Sequence, residues 1–368
     1  MGLRDLKNLA SSISINLGGK RINRKIVVIE SDDWGSIRMP SSEVCENLIK
    51  AGIPLKKSAY CCFDGLESDS DIKELCTILK RIKTRFNKDV RFTLNFVTAN
   101  PDFARIKQNN FSTYFSESII DTYRKYKASD SVISMINEGV SEGIFIPQFH
   151  GREHVNVPFW MSLLMIDENF RIAFDQEVFG LSNDIFPKLE KSVQATYDTL
   201  DLEYQNNSLS EGLVNFKNIF GFQSKSFISN NYILSDSSFD ILKKNGVEVI
   251  QGMKYQKLPI TADNRKRKLI KRSFGEIDFN SGLKFSIRNC TFEPTEIGDT
   301  VESTMKQIKI AFLMKKPAVI STHRINFSSR ISVENRDKNL KEFEELLSRI
   351  ILTWPDVQFM TSVEALSI

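Results

Sequence analysis

Ile26-Val27-Val28-Ile29-Glu30-Ser31-Asp32-Asp33-Trp34-Gly35 places two adjacent carboxylates at the end of an apolar run. Four consecutive β-branched residues of that kind form a buried strand. The arrangement recurs twice. Ile144–Ile146 leads into Phe149-His150-Gly151-Arg152-Glu153-His154, and Pro317–Ile320 leads into Ser321-Thr322-His323-Arg324. The chain has only three histidines, and all of them fall in these two segments. Polar residues distant in sequence but placed just past strand ends are how α/β barrels assemble active sites. The pattern points to an enzyme.

The rest of the chain alternates in the same sense. Helical stretches are expected near Ser42–Ala51 and Asp71–Arg85, then a strand at Val90–Val97. Helices around Ser116–Tyr126 and Ser129–Glu138 precede the strand before His150. A strand at Ser226–Ile228, a helix at Ser237–Lys244 and a strand at Val247–Gln251 form another unit, followed by a helix at Thr300–Met314. Leu340, Phe343, Leu346, Leu347, Ile350 and Ile351 keep a 3.6-residue period, Trp354-Pro355-Asp356 stops that helix, and Val357–Met360 is a closing strand. The alternation argues for a parallel sheet or barrel wrapped in helices. The expected organisation is an N-terminal helix or arm over residues 1–24 and one catalytic barrel over 25–368. Two insertions interrupt the barrel. Residues 155–222 are helical, with Asn183–Thr199 and Ser210–Ile219 as candidates, and are placed to roof a site. Residues 253–290 are strand-like and basic, carrying Arg265-Lys266-Arg267-Lys268 and Lys271-Arg272; a solvated loop is the ordinary reading, a phosphate-binding one the alternative.

With 41% hydrophobic and 26% charged residues, the composition is that of a globular protein. A net charge of +4 over 368 residues implies no nucleic-acid partner. The five cysteines lack the paired spacing of structural zinc sites and read as reduced packing residues, which points to the cytoplasm. No apolar run approaches membrane-spanning length. Leu3, Leu6, Ala10 and Ile13 share one face of an N-terminal helix, with Lys20, Arg21, Arg24 and Lys25 after it. Such a helix docks on the protein's own surface or lies peripherally on an anionic membrane.

His150 and His154, four residues apart, sit on one side of a helical turn or on a tight loop opened by Gly151, so both rings can face one ion. Imidazole and carboxylate together suit a divalent metal, zinc first, with cobalt, nickel, manganese and iron also accommodated. One aspartate added to the two histidines leaves positions open for water and substrate, the pattern of a catalytic site. Neighbouring side chains on an extended strand diverge, so Asp32 and Asp33 cannot be equivalent ligands; one reaches the metal and the other serves as a base.

In this order of motifs the chain resembles the NodB-type polysaccharide deacetylases, over roughly residues 25–365. The resemblance implies an irregular barrel of about seven strands. It implies Asp32 as base, Asp33, His150 and His154 as metal ligands, and His323 as general acid. The implied reaction is hydrolysis of an acetyl group, N-linked by family habit, on a sugar. The lack of a secretion-signal pattern in the first residues and the basic stretch 265–272 lead to the expectation of a nucleotide- or lipid-linked precursor in surface polysaccharide synthesis. The sequence departs from the family at several points. The arginine of the family's third motif is missing near Ser224–Tyr232, where Tyr232 alone has a counterpart; Arg152, Arg288 and Arg324 are the candidates to replace it. Glu293 is a candidate to orient His323, and Trp34 stands where a glycine is usual.

Asn95 and Asn100 either bond a sugar or hold turns. Phe159, Trp160 and Met161 either form a lid or pack a helix. The competing functions are a catalytically silent carbohydrate-binding protein of the same fold, and a hydrolase of glycosidic bonds or cyclic amides on a related barrel. A glycosidase needs two opposed carboxylates, and only Asp32 is evident.

Overall fold

The computed structural model describes residues 3–260, 267–296 and 300–368. Eight strands form one parallel sheet: β1 (Ile26–Trp34), β2 (Phe92–Phe96), β3 (Phe145–Phe149), β4 (Ser226–Phe227), β5 (Val249–Gly252), β6 (Lys284–Ile287), β7 (Cys290–Thr291) and β8 (Ala318–His323). Their order is β6-β5-β4-β3-β2-β1-β8-β7. A ninth strand, β9 (Gln358–Phe359), pairs with the start of β1 through Ile26 and Gln358.

Strands β6 and β7 lie at opposite ends of that order yet are separated by only Arg288 and Asn289. They are two halves of one stave. The first half pairs with β5, the second with β8, and at the changeover the Arg288 N–H donates to the Gly252 carbonyl (2.8 Å) while the Asn289 N–H donates to that of Val319 (3.2 Å). The sheet thus closes into an α/β barrel of seven staves, the irregular (β/α)7 type expected from the sequence. The segment Lys284–Cys290 belongs to the barrel wall; of residues 253–290, the added part is the hairpin of Tyr255–Lys257 and Leu269–Lys271 with its following loop.

All nine residues of β1 are buried, as a strand covered on both faces requires. Val27, Val28 and Ile29 lie in the core with Phe92, Leu94, Val319 and Ile320 of the adjoining strands. Outside the barrel run α1 (Leu3–Asn16), α2 (Asp69–Phe86), α3 (Val132–Ser141), α4 (Val157–Ile166), α5 (Glu168–Asp175), α6 (Leu202–Phe220), α7 (Val301–Leu313) and α8 (Val333–Thr353), with the expected helix at Ser42–Lys50 and several shorter helical turns besides. Ser68 and Asp71 form a capping box at the start of α2, satisfying two of its free N–H groups. Asn16, on the last turn of α1, accepts from the Asn289 amide at 2.7 Å, anchoring that helix at the barrel closure while Leu6, Leu9 and Ile13 stay in part exposed. No helix among the described residues is long and apolar enough to cross a membrane.

The region 155–222 departs from its expected form. Asn183–Thr199 is not a helix; it is a succession of turns, because its polar side chains bond their own backbone in place of the helical ladder. Asn183 donates to the carbonyls of Leu189 and Lys191, and Asp198 accepts from the Ser192 N–H at 3.0 Å. Helix α6 begins at Leu202, eight residues before the expected Ser210. Its Gly212 packs so closely on Phe149 that an added Cβ would lie 2.6 Å from the ring, so α6 is the helix that links β3 to β4 rather than part of the roof. A second apolar cluster, with Trp160, Phe170, Phe174, Phe179, Ile185 and Val193, supports the roof from below.

Candidate active site

The strand ends converge on a cavity of about 280 Å³. Asp32, Asp33, His150, His154 and His323 all line it. The two aspartates face the same space because β1 is irregular at this point. Asp33 has φ +74°, in the left-handed region, and the register of β1 against β2 shifts between Ser31 and Trp34. A bulge of this kind re-aims a side chain that a regular strand would send to the other face.

His150 and His154 lie on a loop rather than a helical turn. Gly151 between them has φ +112°, and a Cβ there would approach Tyr197, Asn230 and the Glu153 carbonyl at 3.2–3.3 Å, so both conformation and space call for glycine. The His150 Nδ1–H donates to the Ile228 carbonyl (2.9 Å), which leaves the Nε2 lone pair facing Asp33 Oδ1 at 3.2 Å. His154 Nε2 lies 3.0 Å from the same oxygen. Burial outweighs the attraction of Asp33 and, with help from the Arg38 charge, lowers the His154 pKa to about 4, so this imidazole is neutral at physiological pH. The three donor atoms lie within 4.8 Å of one another and are all buried. Two imidazoles and one carboxylate, with room left in the cavity, are a donor set able to hold a catalytic divalent ion.

Asp32 is held differently. Arg288, fully buried at the barrel closure, grips it with two bonds, Nη1 to Oδ2 at 2.6 Å and Nη2 to Oδ1 at 2.7 Å, and donates from Nε to Glu30 at 2.8 Å. Asn95 donates to Asp32 Oδ1 at 2.8 Å, so it holds the carboxylate rather than a turn. Burial raises the Asp32 pKa, but Arg288 more than offsets it, and the carboxyl titrates below its ordinary range.

His323 faces Asp32 across the cavity, Nε2 to Oδ2 at 3.7 Å. Its Nδ1–H donates to Glu293 at 2.5 Å, and Asn326 donates to the other Glu293 oxygen at 2.7 Å. Burial opposes the charge on the ring, yet Glu293 outweighs it and holds the His323 pKa well above the usual imidazole value. The site therefore sets an ionised carboxylate opposite a protonated imidazole.

The remaining expected residues divide. Tyr232 lines the cavity and its hydroxyl lies 3.5 Å from Arg288 Nη1. Trp34 does not reach it: the side chain is fully buried, 6.2 Å from the Phe96 ring, with its indole N–H on Ser31. Arg152 pairs with Glu153 and Glu211 outside the cavity. Arg324 is buried between Asp64 and Glu67, at 2.8 and 2.9 Å, one ion pair removed from the site. Of the three candidates for the missing arginine, Arg288 alone touches Asp32. Trp160 packs the second apolar cluster, and Asn100 bonds the backbone of Gly35 and Ile37, so neither lines the cavity. In the basic stretch, Arg265 and Lys266 lie outside the described residues. Arg267 pairs with Asp198 and Arg272 with Asp236 and Glu276.

Arg38 and Tyr60 were not foreseen. Arg38, with φ +45°, donates to Asp33 Oδ2 at 3.1 Å, lies 3.3 Å from Asp64, and donates to Gln194 of the roof at 3.1 Å. It leaves Asp33 Oδ1 to the histidines and, over burial, keeps the Asp33 pKa well below the carboxylate norm. The Tyr60 hydroxyl lies 3.1 Å from His323 Nδ1. Arg38 comes from the loop after β1 and Tyr60 from the short helix Ala59–Phe63, and neither carries a spacing signal; a lone arginine five residues after the doubled aspartate was the only available hint.

No family model and no curated protein matches the chain. Solved structures with a similar course of chain do. A protein assigned as a polysaccharide deacetylase from Mycobacterium smegmatis shares 10% identity, over 95% of this chain and 92% of that one, with a TM-score of 0.43. A family 4 acetyl xylan esterase from Clostridium thermocellum, in complex with a cobalt ion, shares 13% over 93% and 91%, with a TM-score of 0.38. Puue allantoinase shares 10% over 96% and 95%, with a TM-score of 0.44. At that identity and that degree of superposition these likenesses decide neither activity nor substrate, and the case for function rests on the site.

Proposed function

We propose that this protein is a metal-dependent hydrolase that removes an acetyl group, N-linked, from a sugar or glycan precursor. One observation carries the reading: a buried Asp33–His150–His154 cluster shares its cavity with an arginine-held carboxylate and a carboxylate-held imidazole on facing walls. Asp33, His150 and His154 would hold one divalent ion, zinc first. When bound, such an ion polarises the acetyl carbonyl and lowers the pKa of water. Asp32, kept ionised and fixed in orientation by Arg288 and Asn95, takes a proton as water adds to the acetyl carbon. As the carbon–nitrogen bond breaks, His323 passes its Nε2 proton to the departing amine, and acetate remains. Glu293 keeps that ring charged and turned toward the cavity.

The test is metal content together with acetate release. Protein purified without added metal is expected to carry about one divalent ion per chain, and to release acetate from N-acetylated sugars. Chelation is expected to cost at least about a hundredfold in rate, restored by zinc or cobalt. A chain that binds none of zinc, cobalt or nickel would sink the mechanism and leave a silent sugar-binding protein.

Glu293→Gln tests the acid. A raised His323 pKa keeps the imidazole protonated through neutrality, with the acid lost only as pH climbs through that raised value. Removing the Glu293 charge moves the alkaline limb of the rate profile to lower pH. At mildly alkaline pH kcat is expected to fall about tenfold, a part of the roughly 10²–10⁴ that a general acid supplies, with KM little changed. An unmoved alkaline limb would remove His323 from the role.

A further inference from the structure

We infer that Tyr60 is a substrate-contacting residue whose hydroxyl donates to a sugar oxygen on a carbon next to the one bearing the departing nitrogen. The inference rests on the deacetylase reading above. Tyr60 lines the cavity, and its hydroxyl lies 3.1 Å from His323 Nδ1. That nitrogen has a place for one proton, and Glu293 claims it at 2.5 Å. Whichever of the two groups holds the proton, it lies on the line between them and fills the lone-pair direction of Nδ1. Tyr60 therefore cannot donate to the ring, and its oxygen can only accept from it. The phenol keeps its own hydrogen at neutral pH. Burial, joined by the Glu293 charge, pushes its pKa well above the usual value. Among the described residues that hydroxyl has no hydrogen-bond partner besides His323. A half-buried donor in the wall of a cavity, with no protein acceptor, is a group left for a ligand.

The placement says which part of the ligand. The acetyl group belongs beside Asp33, His150 and His154, and the departing nitrogen beside His323 Nε2, which faces Asp32 at 3.7 Å. Tyr60 meets the same imidazole at its other nitrogen. Its hydroxyl is thus on the leaving-group side of the cavity, where it meets the sugar next to the nitrogen and not the acyl group.

The donor is also fixed in advance. The Tyr60 ring stands edge-on to His323, with ring centres 5.3 Å apart and planes at 80°, and the Arg38 guanidinium lies 5.5 Å from its centre. The short helix that carries it is held on both sides. The Cys61 thiol donates to the Gly180 carbonyl of the roof at 3.5 Å, and Asp64 accepts from Arg324 at 2.8 Å. A side chain so held loses little freedom when a sugar arrives.

The experiment compares zinc-loaded full-length protein with its Tyr60→Phe variant on three sugars. One is the methyl glycoside of N-acetylglucosamine. The other two each lack the oxygen on one of the two carbons beside the acetamido carbon. Tyr60→Phe is expected to lower kcat/KM for acetate release about tenfold on the parent sugar, the loss of one hydrogen bond. On one of the two analogues the loss should shrink to about twofold or less, the non-additivity of a direct contact. The alkaline limb of the rate profile should stay in place, because Glu293 sets the charge on His323. An equal loss on all three sugars, or a shifted alkaline limb, would mean that Tyr60 acts only through the His323 ring; it would overturn the contact and leave the deacetylase intact. If no sugar loses acetate, the reaction fails and calorimetric binding of the same sugars decides the contact. Weaker binding of the parent by Tyr60→Phe, with no such difference for one analogue, supports it; equal affinities, or no binding, overturn it.

Discussion

Asp33→Asn is expected to strip the protein of its metal and of its activity together, leaving the fold in place. Asparagine is the substitution that isolates the charge. Position 33 has φ +74°, a conformation that asparagine adopts more readily than other non-glycine residues, so the bulge in β1 survives. Alanine would add backbone strain to the loss of the ligand. Arg38 loses one carboxylate but keeps Asp64 at 3.3 Å and Gln194 at 3.1 Å, so no buried cation is left without a partner. The metal side has no such reserve. Both imidazoles point their Nε2 atoms at Asp33 Oδ1, and a neutral amide supplies a weaker oxygen with no charge to balance the ion. Metal affinity is expected to fall at least about a hundredfold, the upper end of what loss of even an outer-shell partner costs, and acetate release by about a thousandfold or more. Competition with a chromogenic chelator measures the first, and thermal unfolding of both metal-free proteins provides the control. An Asp33→Asn protein that still holds one ion with wild-type affinity would remove Asp33 from the ligand set.

The parts of this site visible in the sequence are those that follow strands. A buried parallel strand needs an unbroken apolar run, so Ile26–Ile29 and Ala318–Ile320 announce themselves, and the polar residues just past them are placed by the strand's own end. His150 and His154 belong to the same class. Arg288 was legible only as one of three candidate arginines, because its stave is split: Lys284–Ile287 and Cys290–Thr291 are each too short to read, and together they resemble the basic loop before them. Arg38, Tyr60 and Gln194 were hidden for another reason. They arrive on a loop, a short helix and a roof whose course is set by packing of the second apolar cluster, and no period in the sequence encodes it. The turns at Asn183–Thr199 passed for a helix because Ile185, Leu189 and Val193 recur at four-residue intervals. Those spacings serve burial, while Asn183 and Asp198 divert the backbone bonds.

Arg288→Met is expected to unsettle both stability and catalysis, with a pH signature that separates the two. Arg288 is fully buried and holds Asp32 and Glu30, which is likewise fully buried. Removing one partner of a buried ion pair leaves an uncompensated charge and costs about 3–5 kcal/mol. In the wild type the depressed Asp32 pKa contributes stability that is present above the unfolded carboxyl value and lost as pH falls through the folded one. Without Arg288, burial is opposed only by the Asn95 bond and the nearby histidines, and the Asp32 pKa is expected to rise. The sign reverses: the variant loses stability as pH climbs above about 4, the unperturbed aspartate value. The gap between wild type and variant should therefore be small near pH 4 and full by neutrality, as read from denaturant unfolding across pH. Catalysis follows the same proton. A protonated Asp32 cannot accept one from water, so the rate at pH 7 should fall by about 10²–10⁴ and recover in part as pH rises. Arg288→Lys restores a charge but not the two-bond grip, and should regain more stability than activity. A stability gap that does not change with pH, or a rate that stays equally low at every pH, would mean that Arg288 only fills space at the barrel closure and does not set the charge of Asp32.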